Sequence, residues 1–135
     1  MPARFLLDTN IVSYLLREQA PHLKAHFMAT PIESMTVSSI TEAELRYGIA
    51  KRPGSAKLGL AVDRFLAGVS VSPWDSAAAA VYGPLRAAQE RKGRPLSVED
   101  LMIAAHVLSL GLVLVTSDQA FAFIEGLRTE NWALS

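Results

Sequence analysis

Acidic side chains lie at four separated points of the sequence, and two of them closely follow short apolar runs. Asp8 ends a run over residues 4–8, and Asp118 comes two residues after a run over 112–116. Ligands collect at the carboxyl ends of strands in open parallel sheets, so these carboxylates are candidates for one shared site. Each alone also suits a helix N-cap. The equivalent placement of both favours the shared site.

Asp100 lies in the first turn of a predicted helix. Ile103, Ala104 and Val107 share its face at spacings of three, four and seven residues, and that face is apolar. A carboxylate directed toward a core is costly unless something compensates its charge, and a bound cation does so. The alternative is a capping-box acid bonded to its own helix end.

Glu44 lies one turn into another predicted helix. Glu42 points in a different direction, about 200° away at 3.6 residues per turn. If Glu42 is the acid of a capping box, Glu44 is left free for another task. A solvated surface position is the ordinary alternative for any glutamate.

These acids suggest a particular chemistry, because the chain has no cysteine and no histidine accompanies them. A site made of carboxylate oxygens suits Mg²⁺ or Mn²⁺. Such ions bind phosphates, activate water and stabilise developing negative charge. Without metal the acids would repel an RNA phosphate. The sequence therefore predicts metal-dependent phosphoryl chemistry.

Alternating strands and helices would position these residues. Apolar runs predict strands over 4–8, 35–38, 69–71 and 112–116, and helical spacing predicts helices over 10–17, 21–29, 39–51, 55–67, 75–92 and 97–110. Strands that alternate with helices imply crossovers and a parallel sheet, hence an α/β fold. Ser39 with Glu42, and Ser97 with Asp100, have capping-box spacing. Gly111 is expected to stop the last helix.

Composition predicts one domain over residues 1–135, since half of the residues are hydrophobic and only 19% are charged. Basic and acidic residues both number 13, so no overall positive field indicates nucleic-acid binding. A local basic rim is available in Arg86, Arg91, Lys92 and Arg94, although cations also occur at helix C-termini for local reasons.

The absence of cysteine and of any membrane-length apolar run leads us to expect a soluble cytoplasmic protein.

Four motifs in order over nearly the whole chain closely resemble VapC toxins of the PIN-domain family. They are Phe-Leu-Leu-Asp-Thr-Asn-Ile over 5–11, Ser-Ser-Ile-Thr over 38–41 leading to Glu-Leu-Arg-Tyr-Gly over 44–48, Asp-Leu-Met-Ile-Ala-Ala-His over 100–106, and Leu-Val-Thr-Ser-Asp over 114–118. Each is weak alone, and their order makes the signal strong.

The resemblance implies a PIN-like fold and a set of site residues. The fold is a central parallel sheet of about four to five strands with helices on both sides. The implied metal-binding and catalytic acids are Asp8, Glu44, Asp100 and Asp118, and the supporting polar groups are Asn10 and Thr116. Glu42 and Glu99 neighbour two of these acids, and we expect both to be dispensable.

The resemblance also implies an activity and partners. The expected activity is Mg²⁺- or Mn²⁺-dependent endoribonuclease cleavage of tRNA, with the anticodon loop of initiator tRNA as the specific candidate. A VapB-type antitoxin would wrap the toxin and place a basic side chain in the acidic site. A homodimer and a larger toxin–antitoxin complex are expected. Trp74, Trp132 and the surface around Ile11, Tyr14 and Leu15 are candidates for antitoxin docking or for the core.

Rival functions fit less well. A haloacid-dehalogenase-like phosphatase needs a second Asp where this chain has Asn10, and a receiver domain needs a Lys that residues 116–135 lack. No nucleophile elbow of a serine hydrolase is present. His106 follows apolar residues and is expected to be packed in a helix. The remaining alternative is a catalytically inactive PIN-like module that binds a basic partner protein.

Overall fold

A five-stranded parallel sheet forms the centre of the computed structural model, which describes residues 2–93 and 96–134. The strands are Phe5–Leu7 (β1), Met35–Ser38 (β2), Ser70–Ser72 (β3), Val113–Val115 (β4) and Thr129–Glu130 (β5). Their order across the sheet is β3-β2-β1-β4-β5, and every neighbouring pair is parallel. The chain therefore builds outward from β1 in both directions, which creates a switch point between β1 and β4.

Six helices accompany the sheet in the described ranges: Thr9–Leu16 (α1), Pro21–Ala29 (α2), Ser39–Ala50 (α3), Ala56–Gly68 (α4), Ser76–Arg91 (α5) and Val98–Leu110 (α6). Every predicted helix and strand is present, and no end differs from its prediction by more than one residue. Short 3₁₀ turns at Ile32–Ser34 and Gln119–Phe123 were not predicted. None of the described helices has the length and apolar character needed to cross a membrane.

Both faces of the sheet are buried at its three central strands, β2, β1 and β4. Phe5 and Leu7 of β1 belong to one hydrophobic cluster, and Leu6 between them belongs to the other. This alternation follows from the two-residue period of a strand. Helices α1 to α4 supply residues to the first cluster, and α5 and α6 supply residues to the second. The predicted sheet with helices on both sides is confirmed.

Most of the candidate docking residues belong to the core. Trp132 is only 2% exposed, and its ring lies edge-on against Phe5. Ile11 is fully buried, and Tyr14 and Leu15 pack partly buried on the same cluster. Half-buried Trp74 donates its indole N–H to the carbonyl of Met102, 2.9 Å away. These aromatic residues thus stabilise the fold.

The capping prediction is right for one helix and wrong for another. Ser97 caps α6, because its hydroxyl accepts the Asp100 N–H at 3.0 Å. The cap of α3 is Ser38, whose hydroxyl accepts the Ile40 N–H at 3.1 Å, and not Ser39. Ser38 keeps the extended backbone of β2 that a cap requires. Ser39 is already helical, and its hydroxyl accepts the N–H of Trp74.

Candidate active site

Asp8 lies where β1 ends, and it is the N-cap of α1. Its Oδ1 accepts the N–H of Thr9 at 2.8 Å, and its own N–H donates to the carbonyl of Val115 at 3.0 Å. The residue is only 4% exposed. Asp8 can therefore be both a helix N-cap and a member of a shared site. One carboxylate oxygen caps α1, and the other is bonded to Thr116, which follows β4.

Thr116 links Asp8 to Asp118. Its buried hydroxyl donates to Asp8 Oδ2 at 2.9 Å and accepts the N–H of Asp118 at 3.0 Å. Asp118 is itself exposed, and its Oδ1 accepts the N–H of Ala120 at the start of the 3₁₀ turn. A single side chain therefore fixes the acids that follow β1 and β4 with respect to each other.

Glu44 is half-buried on α3 and is held by a pair of threonines that the sequence analysis did not assign. The Thr9 hydroxyl donates to Glu44 Oε1 at 3.3 Å and lies 2.8 Å from Thr41 Oγ1. Because each hydroxyl has one proton, Thr41 completes this chain by donating to Thr9. Thr9 follows Asp8, and Thr41 lies three residues before Glu44 on the same helix face.

Asp100 is half-buried in the first turn of α6, as the sequence predicted. The predicted supporting residue Asn10 is exposed, and its side chain makes no hydrogen bond within the described ranges. Glu99, one of the two alternates, is also exposed. Its charge raises the pKa of both Glu44 and Asp100, so it lies at the rim of the same acidic region.

The carboxylates perturb one another. Burial raises the pKa of Asp8 to about 6, and the charges of Asp100 and Asp118 add to the rise, against hydrogen bonds from Thr116 and Thr9. Burial is also the main cause that raises the pKa of Glu44, and Asp8 and Asp100 contribute further. Burial comes first for Asp100 as well, whose pKa is also raised by Asp118. The acids predicted from separate segments therefore lie at one edge of the sheet.

This donor set fits a hard divalent cation in its chemistry. It consists of carboxylates, with hydroxyls behind them and no sulfur or imidazole ligand. A partly buried, mutually repelling group of acids is what a cation would stabilise. In the ranges 2–93 and 96–134 no three acids or histidines are already arranged to hold one ion together.

The basic rim predicted on α5 is only partly available. Arg86 is engaged by Glu90 at 3.3 Å and by the Tyr82 hydroxyl at 3.0 Å. Arg91 and Lys92 are exposed at the end of α5, and Arg94 lies outside the described residues. Arg86 is therefore less available to a ligand than the sequence suggested.

His106 is buried below this edge, as predicted for a packed helix residue. Its Nδ1 lies 2.8 Å from Ser38 Oγ, and Nε2 has no hydrogen-bond partner in the described structure. Burial lowers the pKa of His106, against smaller opposing effects of Asp75 and the Pro73 backbone. His106 therefore joins α6 to the cap of α3 as a neutral imidazole.

Comparison with known proteins gives the family. The model of the PIN domain matches residues 5–127. The tRNA(fMet)-specific endonuclease VapC of Shigella flexneri is 35% identical over 131 residues, which cover 96% of this chain and 98% of that protein. The tRNA(fMet)-specific endonuclease VapC of Salmonella typhimurium is 36% identical over 130 residues, which cover 96% of this chain and 98% of that protein.

Solved structures agree with this result. The crystal structure of DNA-bound VapBC from Salmonella typhimurium superposes with a TM-score of 0.90 at 36% identity, over 96% of this chain and 98% of that one. FitAcB from Neisseria gonorrhoeae superposes with a TM-score of 0.84 at 29% identity, over 95% and 97%. The chain belongs to the PIN-domain family, and within it to the VapC ribonucleases.

Proposed function

We propose that this chain is the toxin of a type II toxin–antitoxin pair and that it acts as a metal-dependent endoribonuclease on tRNA. The observation that carries the proposal is the link from Asp8 through Thr116 to Asp118, which joins two acids at the switch point of the sheet. Glu44 and Asp100 share the electrostatics of this site. The VapC proteins of Shigella flexneri and Salmonella typhimurium, at 35% and 36% identity, are named as tRNA(fMet)-specific endonucleases. Initiator tRNA is therefore the first substrate to test.

The protein side of the mechanism follows from the contacts of each acid. Asp8, Glu44, Asp100 and Asp118 would hold Mg²⁺ or Mn²⁺. When bound, the ion would supply charge neutralisation at the phosphate and a more acidic water. Thr116 orients the carboxylate of Asp8 and holds the backbone of Asp118, and the Thr9–Thr41 pair orients Glu44. Exposed Asn10 follows Asp8 by two residues and offers its amide to the RNA.

We further propose a VapB-type antitoxin as partner, because the solved relatives include VapBC assemblies, one of them described as a member of the VapBC family of toxin–antitoxin systems. A basic side chain of that partner would compensate the acids as a cation does. We expect a homodimer that enters a larger complex, and activity in the cytoplasm, where tRNA is found. Light scattering should give twice the 14.6 kDa chain mass for the free toxin. A monomer at all concentrations would contradict the dimer.

Incubation of antitoxin-free protein with total bacterial RNA tests the activity. We expect discrete cuts in one tRNA class with Mg²⁺ or Mn²⁺, found by 5′-end sequencing and absent with EDTA. Asp8→Asn should abolish them, and the matched charge change Glu42→Gln should leave them intact. Intact RNA in every reaction would instead favour the inactive module that binds a basic partner protein.

A further inference from the structure

A groove leads away from the acidic site between α1, α3 and α4. Its inner end is formed by Thr9 and Glu44, which belong to the candidate site. Its outer part is formed by Tyr47, Arg17, Lys51 and Arg52. The groove therefore changes from acidic to basic over about two turns of α3, roughly 10 Å at 1.5 Å per residue.

The cations of the outer groove have no acidic partner among the residues that the structure describes. Arg17, Lys51 and Arg52 are exposed and form no ion pair within the described ranges. Lys57 extends the same surface, because it lines an adjoining depression with Arg52. Arg46, on the same helix, is instead paired with Asp63. In a chain with zero net charge, this is a local concentration of free positive charge.

Tyr47 adds an aromatic surface to this groove. The residue is 66% exposed, so much of its ring is open to a ligand. The ammonium group of Lys51 lies 5.0 Å from the centre of the ring and covers one side of it. An exposed ring beside free cations is the combination that binds single-stranded nucleic acid, through base stacking and phosphate contacts.

We propose that this groove, defined by Arg17, Tyr47, Lys51 and Arg52, binds the single-stranded part of the RNA beside the scissile bond. Lys51 and Arg52 contact phosphates, and Tyr47 stacks on a base. The inference rests on the proposed nuclease function and adds the path of the substrate. RNA is favoured over an acidic peptide because the groove combines a stacking surface with its charge and opens directly into the site where a phosphate would react.

RNA binding without cleavage tests the groove. A short fluorescein-labelled single-stranded RNA is titrated with the antitoxin-free toxin in EDTA. The anisotropy of the label reports RNA binding, which is measured between about 50 and 200 mM salt. In Lys51→Gln/Arg52→Gln we expect the slope of log K against log salt to shrink by about 1.4, which is about 0.7 for each lost phosphate contact. Arg4→Gln/Arg128→Gln is the matched control, since it neutralises two exposed arginines just before β1 and β5, at the edge of the sheet opposite the acids.

Tyr47 is tested separately. Tyr47→Leu should weaken RNA binding about tenfold or more, and Tyr47→Phe should bind like the wild type because the ring is kept. Three results would overturn the proposal that the groove binds RNA. They are an unchanged salt slope in Lys51→Gln/Arg52→Gln, an equal loss of slope in the control pair, and no RNA binding by the wild type. Displacement of the RNA by poly-glutamate of equal charge, with no effect of Tyr47→Leu, would make it a peptide site.

The nuclease assay separates this inference from the proposed function. Discrete metal-dependent cleavage with a groove variant that binds normally would leave the nuclease in place and remove the groove. RNA binding that depends on the groove residues, without cleavage in the presence of any metal, would keep the groove and remove the proposed nuclease activity.

Discussion

Asp8 shows how a single residue can serve both the fold and the site. Its carboxylate is almost fully buried, and both oxygens accept hydrogen bonds, from Thr9 and from Thr116. These two bonds do not offset the cost of removing the charge from water, so the pKa remains raised to about 6. Without a cation, the protein therefore loses stability when this group ionises.

The pH dependence of unfolding should reveal that cost. Because the folded-state pKa of Asp8 lies above its ordinary value of 3.8, its contribution to stability is complete below about pH 4 and is lost as pH rises through about 6. Between those limits the wild type should lose roughly 3 kcal/mol relative to Asp8→Asn. Urea unfolding in EDTA at a series of pH values measures the difference.

A constant difference between the two proteins across that pH range would mean that Asp8 titrates normally. A second arm uses Mn²⁺ at neutral pH, where the wild type should gain stability because the ion binds only the folded state. Asp8→Asn should gain much less.

Thr9 is predicted to position Glu44. Thr9→Val removes the hydroxyl that donates to Glu44 but keeps the backbone N–H that caps onto Asp8. We expect kcat for RNA cleavage to fall about tenfold with little change in KM, which is the typical loss of one hydrogen bond to a charged group. Thr9→Ser keeps a hydroxyl and should restore most of the activity. Equal rates for Thr9→Val and the wild type would show that Glu44 needs no such support.

The sequence singled out the four acids and Thr116 but did not indicate the two threonines that hold Glu44. Asp8 and Asp118 could be found because a polar residue after a buried strand is visible in the pattern itself. The role of Thr9 could not be predicted from the sequence. Its hydroxyl contacts that of Thr41, 32 positions away, only when α1 packs on α3. The predicted roles of the four acids remain to be tested by substitution.

At the scale of elements, the start of α3 shows the limit of local rules. Two adjacent serines, Ser38 and Ser39, each satisfy the chemistry of a cap, and the capping-box spacing favours the second. The structure uses the first, because the pairing of β2 with β3 extends through Ser38. Tertiary pairing decides between two equivalent side chains. Likewise β5 has only two residues, too few to give a pattern.

Alanine at the two serine caps should have unequal effects. Ser97→Ala removes one cap bond and should cost about 1 kcal/mol of unfolding free energy. Ser38→Ala also removes the partner of His106, whose Nε2 already lacks one in the described structure. A buried unpaired nitrogen should raise the cost to about 2–3 kcal/mol. Urea unfolding of both variants checks this, and equal losses would mean that the contact with His106 contributes nothing.

At the scale of the whole molecule, the sheet joins two cores into one unit. Neighbouring residues of β1 and β4 are directed to opposite faces, so each strand contributes to both clusters. Loss of packing on one face would therefore disturb the other. The composition predicted a single domain, and this shared sheet gives a physical reason to expect it.

Unfolding should accordingly be a single cooperative transition. Trp132 reports on one face and Trp74, bonded to α6, reports on the other. In Trp74→Phe and in Trp132→Phe, tryptophan fluorescence and far-ultraviolet circular dichroism should give the same urea midpoint within each variant. Separate midpoints in either variant would show that the two faces unfold independently.

A Mn²⁺ titration followed by electron paramagnetic resonance tests whether Asp8, Glu44, Asp100 and Asp118 form one cation site. We predict saturable binding to the metal-free wild type, and a loss of at least tenfold in affinity for Asp8→Asn, Glu44→Gln, Asp100→Asn and Asp118→Asn. Glu42→Gln and Glu99→Gln should change the affinity far less. An affinity that is unchanged in all four single variants, or that falls equally in Glu42→Gln and Glu99→Gln, would show that these four acids do not form one cation site.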